Sequence, residues 1–168
     1  MNQLLNKIYA LLLNLVSNNA LALSSDAEQP IYIDSDTQSL DMKANTVIFT
    51  GNVYLRQGSI RLHADKVIVT RPSGNEAREI IDAYGNPATF SQTLDDGKKI
   101  NGKANDLQYE VAKNFLKMHN HAVLIQEGGN KVEGQLITYQ IDKQQLIAES
   151  DLNTRVTTIL QPQIKQKN

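Results

Sequence analysis

The sequence predicts an all-β fold, an antiparallel meander of many short strands with almost no helix. Two observations carry this. Between Pro30 and Leu160 apolar residues recur with period two, while the period of a helix is nearly absent. Turn residues interrupt the alternation at about the 8–12-residue spacing of all-β architectures. So large a share of sheet points to a solenoid, a barrel or a jelly roll. The chain has 168 residues, with 17 Lys and Arg against 18 Asp and Glu, and neither Cys nor Trp. That length suggests one domain, or two small ones, and is enough to bury a real core. The near-neutral balance gives no basic footprint for nucleic acid. The lack of cysteine excludes disulfide scaffolds, thiolate metal sites and cysteine nucleophiles.

Residues 1–22 read as a secretory signal peptide. Lys7 supplies the charge, Ile8 to Val16 the apolar stretch, and Ala20-Leu21-Ala22 the small-x-small pattern, which sets cleavage near Ala22. The stretch is far short of the ~20 apolar residues that span a bilayer. An amphipathic first helix is the alternative. Without a cysteine no lipid can be attached after cleavage, so export to a soluble compartment is expected. Ser24 to Gln29 read as a polar leader, and the tail from Gln161, residues 163–168 above all, as a flexible polar end.

The strands follow in order. Val47 and Phe49 alternate with Thr46, Ile48 and Thr50, and Val53 with Leu55 continues the pattern. Ile60, Leu62 and Ala64 alternate with Arg61 and His63, and Val67 pairs with Val69. Leu107, Tyr109 and Val111 alternate with Gln108, Glu110 and Ala112, and Val156 opens a last strand ending at Leu160. Turns are expected at Gly51-Asn52, Gln57-Gly58-Ser59, Pro72 to Asn75, Tyr84 to Pro87, Asp95-Asp96-Gly97 and Gly128-Gly129-Asn130. A shift of 69 residues pairs Ile31 with Ile100, Asn45 with Asn114, Leu55 with Leu124 and Gln57 with Gln126. A duplication and two similar meanders would both give this match.

Few residues suggest chemistry. Asp34 and Asp36 stand two apart on one strand face, about 7 Å from each other, a separation open to a glycosidase pair. No sugar-stacking Trp accompanies them. His119 and His121 share a face and, with His63, are the candidate metal ligands, although such a pair on a strand is usually surface decoration. Lys66, Arg71 and Arg78 can meet anions. No catalytic signature, metal site or cofactor emerges. The long inward face of Ile, Val, Leu, Phe and Tyr has few large aromatics to fill it, so a gap between two layers would be an apolar groove suited to acyl chains.

Several segments resemble a known family. Gln29 to Asp36, Thr50-Gly51-Asn52-Val53, Ala64-Asp65-Lys66-Val67 and Thr70-Arg71-Pro72 are similar to the OstA-like domain. Ile81 to Phe90 and Arg155 to Pro162 resemble the periplasmic lipopolysaccharide transport members of that family. The likeness runs over residues 29–162, so residues 23–162 are expected to be one OstA-like domain. It implies a twisted, V-shaped β-jellyroll of two open antiparallel sheets, without enzyme activity. It implies a periplasmic location, lipopolysaccharide as ligand with its lipid A chains inside the groove, and head-to-tail stacking of copies. It also implies an inner-membrane partner, LptC, and an outer-membrane partner, LptD. By aligned position, Ile31, Ile33, Phe90, Tyr109 and Val111 would line the groove, with Arg71 and Arg78 as polar contacts near its opening. One departure is His119-Asn120-His121, where the family's second repeat usually reads Thr-Gly-Asn. Without that glycine, a turn of different shape is expected there.

Overall fold

In the computed structural model, which describes residues 23–72 and 78–162, ten antiparallel strands form one continuous sheet. In chain order they are β1 (Tyr32–Asp34), β2 (Thr37–Asp41), β3 (Thr46–Gln57), β4 (Ile60–Thr70), β5 (Ile80–Thr93), β6 (Lys99–Glu110), β7 (Phe115–Gln126), β8 (Lys131–Gln140), β9 (Gln145–Glu149) and β10 (Thr157–Ile159). Short 3₁₀ segments such as Leu23–Glu28 and Val111–Lys113 are the helical pieces among the described residues. The expected signal peptide (1–22) and polar tail (163–168) lie outside the described residues.

The sheet is creased. Each pairing from β3–β4 to β7–β8 shifts register once, at Thr50/Val53, His63/Lys66, Tyr84/Ala88, Lys103/Asp106 and His119/Ala122. A bulge bends its strand and raises the local twist, and bulges aligned across neighbours fold the whole sheet along one line. Two leaves result, made from opposite halves of the same long strands. One leaf is edged by β2 and β9, the other by β1 and β10; they are called here the β2/β9 leaf and the β1/β10 leaf. The two sheets expected from the sequence are thus two leaves of one. Gly51-Asn52 and Tyr84 to Pro87, expected as turns, lie inside β3 and β5. Their turn-forming residues serve the crease and do not reverse the chain.

The crease keeps its shape in both halves of the chain. Gly51 and Asn52 take φ of 82° and 47°, and Asn120 and His121, 69 residues on, take 63° and 60°. The different turn expected at His119-Asn120-His121 is not found. Asn and His enter the left-handed region at smaller penalty than most side chains, and Asn120 Nδ2 also donates to Asp106 Oδ2 at 2.5 Å. Asn45 and Asn114 are left-handed too, and each carbonyl closes its loop, accepting from the Arg71 and Ile141 amides at 3.0 and 2.8 Å.

Between the leaves the side chains are packed. Val53, Leu55, Val67, Ile81, Ala83, Met118 and Ile137 have no exposed surface, and burying each larger one stabilises by about 1.5–3 kcal/mol. Phe90 and Tyr139 meet edge-on with ring centres 6.0 Å apart. At Gly102 a Cβ would lie 2.7 Å from Met118 Sδ of the opposite leaf, so Met118 fills the space that a side chain there would take.

The residues read as a polar leader are instead a fixed strap. Leu23–Glu28 forms a 3₁₀ segment whose Asp26 is 2% exposed. Its carboxylate accepts from the Ser59 amide at 2.7 Å, the Ser59 hydroxyl at 2.6 Å and Gln92 Nε2 at 3.2 Å. Gln57 Nε2 donates to the Ala27 and Gln29 carbonyls, both at 3.1 Å. Polarity alone suggested a loose end; complete pairing is what lets a carboxylate stay buried.

Candidate functional site

The apolar interior reaches solvent at the two ends of the folded sheet, where the edge strands of the two leaves stand opposite each other. At the N-terminal end an open cleft of about 430 Å³ is lined by Ile31, Ile33, Val47, Phe49, Val69 and Arg71, with Gln38 and Glu79 beside them. Parity places these residues: Ile33 pairs with Leu55 and Gln38 with Phe49, both inward positions. At the C-terminal end a cleft of about 230 Å³ is lined by residues including Leu94, Ile100, Val132, Leu146, Thr158 and Leu160. Each edge strand pairs on one side with its neighbour in the sheet, so its outward backbone groups are presented at the rim of a cleft.

The residues singled out in the sequence fall in different places. Ile31, Ile33 and Arg71 come together in the N-terminal cleft. Phe90 and Tyr109 lie in the packed middle, at 3% and 2% exposure. Val111 is not on a strand; it starts the 3₁₀ turn after β6, where its amide donates to the Glu79 carbonyl at 3.1 Å and its side chain packs on the end of the core. Arg71 Nε donates to Glu79 Oε2 at 3.1 Å. Arg78 is exposed, beside a hollow shared with Pro72, Ile80, Glu110 and Lys113.

Two buried tyrosines span the interior. Tyr109 donates its hydroxyl to Gln57 Oε1 and Tyr139 to Gln92 Oε1, each at 3.0 Å, and each bond joins one leaf to the other. Burial, reinforced by the negative charges of Asp26 and Asp142, pushes the Tyr109 hydroxyl up to about 12. Burial and the charges of Asp95 and Asp26 raise Tyr139 as well. The glutamines escaped the sequence reading because their type suggests surface. Their parity does not: Gln57 continues Val53-Leu55 inward, and Gln92 continues Ala88-Phe90.

The other candidates have structural partners. Asp34 pairs with Arg56 at 3.5 Å, and Asp36 accepts from Asn52 Nδ2 at 3.1 Å beside the crease. His63 stacks on Tyr54 with ring centres 4.3 Å apart. The left-handed step at Asn120 and His121 breaks the alternation that would have put His119 and His121 side by side. No group of three or more His, Cys, Asp or Glu able to hold a metal ion occurs among the described residues. No helix among them is long and apolar enough to cross a membrane.

Comparison with known proteins adds a family. Residues 32–145 match the family described as LptA/(LptD N-terminal domain) LPS transport protein. The chain is 48% identical over 165 residues to the lipopolysaccharide export system protein LptA of Escherichia coli strain K12, covering 98% of this chain and 89% of that one. It is 47% identical over 149 residues to the protein of the same name from Haemophilus influenzae, covering 88% and 86%. Among solved structures it superposes with TM-score 0.73 and 29% identity on LptH of Pseudomonas aeruginosa, covering 82% of this chain and 99% of that one. LptH is described as the LptA-homologous periplasmic component of a conserved lipopolysaccharide transport device.

Proposed function

Since the chain belongs to the LptA/LptD N-terminal domain family of lipopolysaccharide transport proteins, we propose that it carries lipopolysaccharide through the periplasm with the lipid A acyl chains held between its two leaves. The observation that supports this most is the pair of clefts, each opening the apolar interior between two edge strands that are paired on one side only. An acyl chain of about a dozen methylenes costs ~10 kcal/mol to expose to water. A lipid with several chains therefore needs a continuous apolar route. Edge strands can supply the continuity by strand addition from a neighbour, which extends the sheet and interior together.

In this reading Ile31 and Ile33 are the first groups an acyl chain meets, with Arg71 as a polar contact at the same mouth. Phe90 and Tyr109 line the space the chains take up when the leaves part, Val111 closes its end, and Arg78 lies outside for further polar contact. Copies stack head to tail, with LptC at the inner membrane and LptD at the outer membrane capping the row. The chain acts by binding alone and needs no cofactor, and residues 1–22 direct its export.

Photo-crosslinking tests this. A crosslinking side chain at Ile33, Phe90 or Leu146, all inward, is expected to capture lipopolysaccharide, and one at the outward Ile68 or Ile147 is not. Normal folding with no capture at any inward position would overturn the reading and make the chain a structural spacer whose packed interior never opens.

A further inference from the structure

The outer faces of the two leaves carry opposite charge. On the β1/β10 leaf, Arg56, Arg61, Lys99, Lys103 and Lys131 point outward in register; of the carboxylates among them, Asp34 and Glu133 are paired with Arg56 and Lys131, and Glu127 Oε2 accepts from the Lys99 amide at 2.9 Å. The β2/β9 leaf presents Asp41, Asp82, Asp106, Glu110 and Glu149 against Lys66 and Lys117. A chain of net charge −1 has thus sorted its charges by face.

The basic face is also dished. A hollow of about 370 Å³ is walled by Arg61, His63, Ser91, Asn101 and Lys103, with Phe90, Val123 and Ile125 forming an apolar floor. Arg61, Ser91 and Asn101 also line a second hollow of about 280 Å³ that reaches Ser59, Gln92 and Lys99 at the rim. That rim is where Asp26, Ser59 and Gln92 close the interior. Through Arg61, Ser91 and Asn101 the two hollows join into one depression that runs from the edge of the interior onto the outer face.

We propose that this joined depression binds the phosphorylated saccharide portion of lipopolysaccharide while the acyl chains lie between the leaves, an assignment that rests on the function proposed above. Lys99 and Lys103 supply point charges for phosphate, and Ser91 and Asn101 supply hydroxyl and amide partners for sugar hydroxyls. The exposed His63 ring, stacked on Tyr54, offers a flat surface for a pyranose. A concave site of this size suits a few sugar rings. A protein partner would call for a broader face without the hollow.

The test uses the full chain and two probes, the de-O,N-acylated, phosphate-bearing saccharide of lipopolysaccharide and the same saccharide after phosphatase treatment, with binding read by calorimetry. The intact protein is expected to bind the phosphorylated probe, and Lys99→Glu/Lys103→Glu to bind it at least about tenfold more weakly. Lys43→Glu/Lys66→Glu makes the same change of charge on the other leaf and is expected to leave binding within about twofold. Phosphatase treatment should match the loss in the first variant. Equal binding by both variants overturns the proposal, as does a first variant that changes sedimentation but not saccharide binding, which would make the face a contact between copies. Acyl-chain capture at Ile33 without saccharide binding would sink this proposal alone; saccharide binding without capture would sink the proposed interior route instead.

Discussion

Tyr109 and Tyr139 hold the leaves together through a chemistry that alkali can read. The native chain keeps the Tyr109 proton up to about pH 12, whereas the unfolded chain gives it up near pH 10. The raised native value therefore contributes stability that is complete below pH 10 and drains away between 10 and 12. Tyr109→Phe is expected to lower stability by about 1–2 kcal/mol at pH 7, because Gln57 Oε1 loses its donor in a buried site. It should also flatten the alkaline limb, and urea titrations at pH 7 and pH 11 would show both. Glu110 titrates in the opposite direction. Hydrogen bonds from Lys113 and Lys117, both at 2.6 Å, hold its carboxyl below the usual carboxylate range. Its contribution is present above about pH 4.3 and is lost as the pH falls through the lowered value. Glu110→Gln is expected to cost about 0.5 kcal/mol at pH 7 and to make the acid limb shallower in denaturation followed from pH 6 to 2. At this scale the sequence told which residues alternate but not which polar ones turn inward. Gln57 and Gln92 obey strand parity against their type, and only the tyrosine opposite explains why.

The strap is the element that sequence patterning concealed. Leu23–Glu28 has no periodicity, and its place depends on Asp26 meeting Ser59 and Gln92, far along the chain. Asp26→Asn replaces one acceptor oxygen by a donor that faces other donors, so the strap should loosen. Hydrogen exchange is expected to quicken at Ala27 and Gln29 by about tenfold or more while the amides of Leu62 and Leu107 stay protected; unchanged exchange at Ala27 would show that the strap is held by other contacts. The long strands were legible because β-branched alternation survives a bulge. The crease was not, because Gly51-Asn52 looks the same in sequence whether it reverses a chain or kinks it. What distinguishes the two is the pairing of β3 with β4 on both sides of that dipeptide, a long-range fact. The clefts were half legible: Ile31 and Ile33 came from the family likeness, while Val47 and Leu146 join them only because β2 and β9 edge a second leaf.

At the scale of the whole molecule, four edge strands and two clefts define how copies can meet. Thr158→Pro withdraws an amide from β10 and adds a ring where a neighbour would pair. In sedimentation runs the unaltered protein is expected to gain mass with concentration, and this variant to remain monomeric with an unchanged circular dichroism spectrum. Equal association by both would place the contact away from β10. The fold class was readable from the sequence at this scale, and so was the transport family. The filled interior was not readable, since alternation fixes which side chains face inward and says nothing of how far apart the two leaves stand.

The two mouths are unequal. One is formed around Ile33 and Phe49 and is nearly twice the size of the other, formed around Leu146 and Leu160. Surfaces so different cannot mate through a two-fold axis, which requires the same patch on both partners. If copies join large mouth to small, as proposed above, they all point the same way, with the wide mouth free at one terminus and the narrow one free at the other. Direction would then be a property of such a row itself, and an adaptor shaped for one mouth would fit only one terminus.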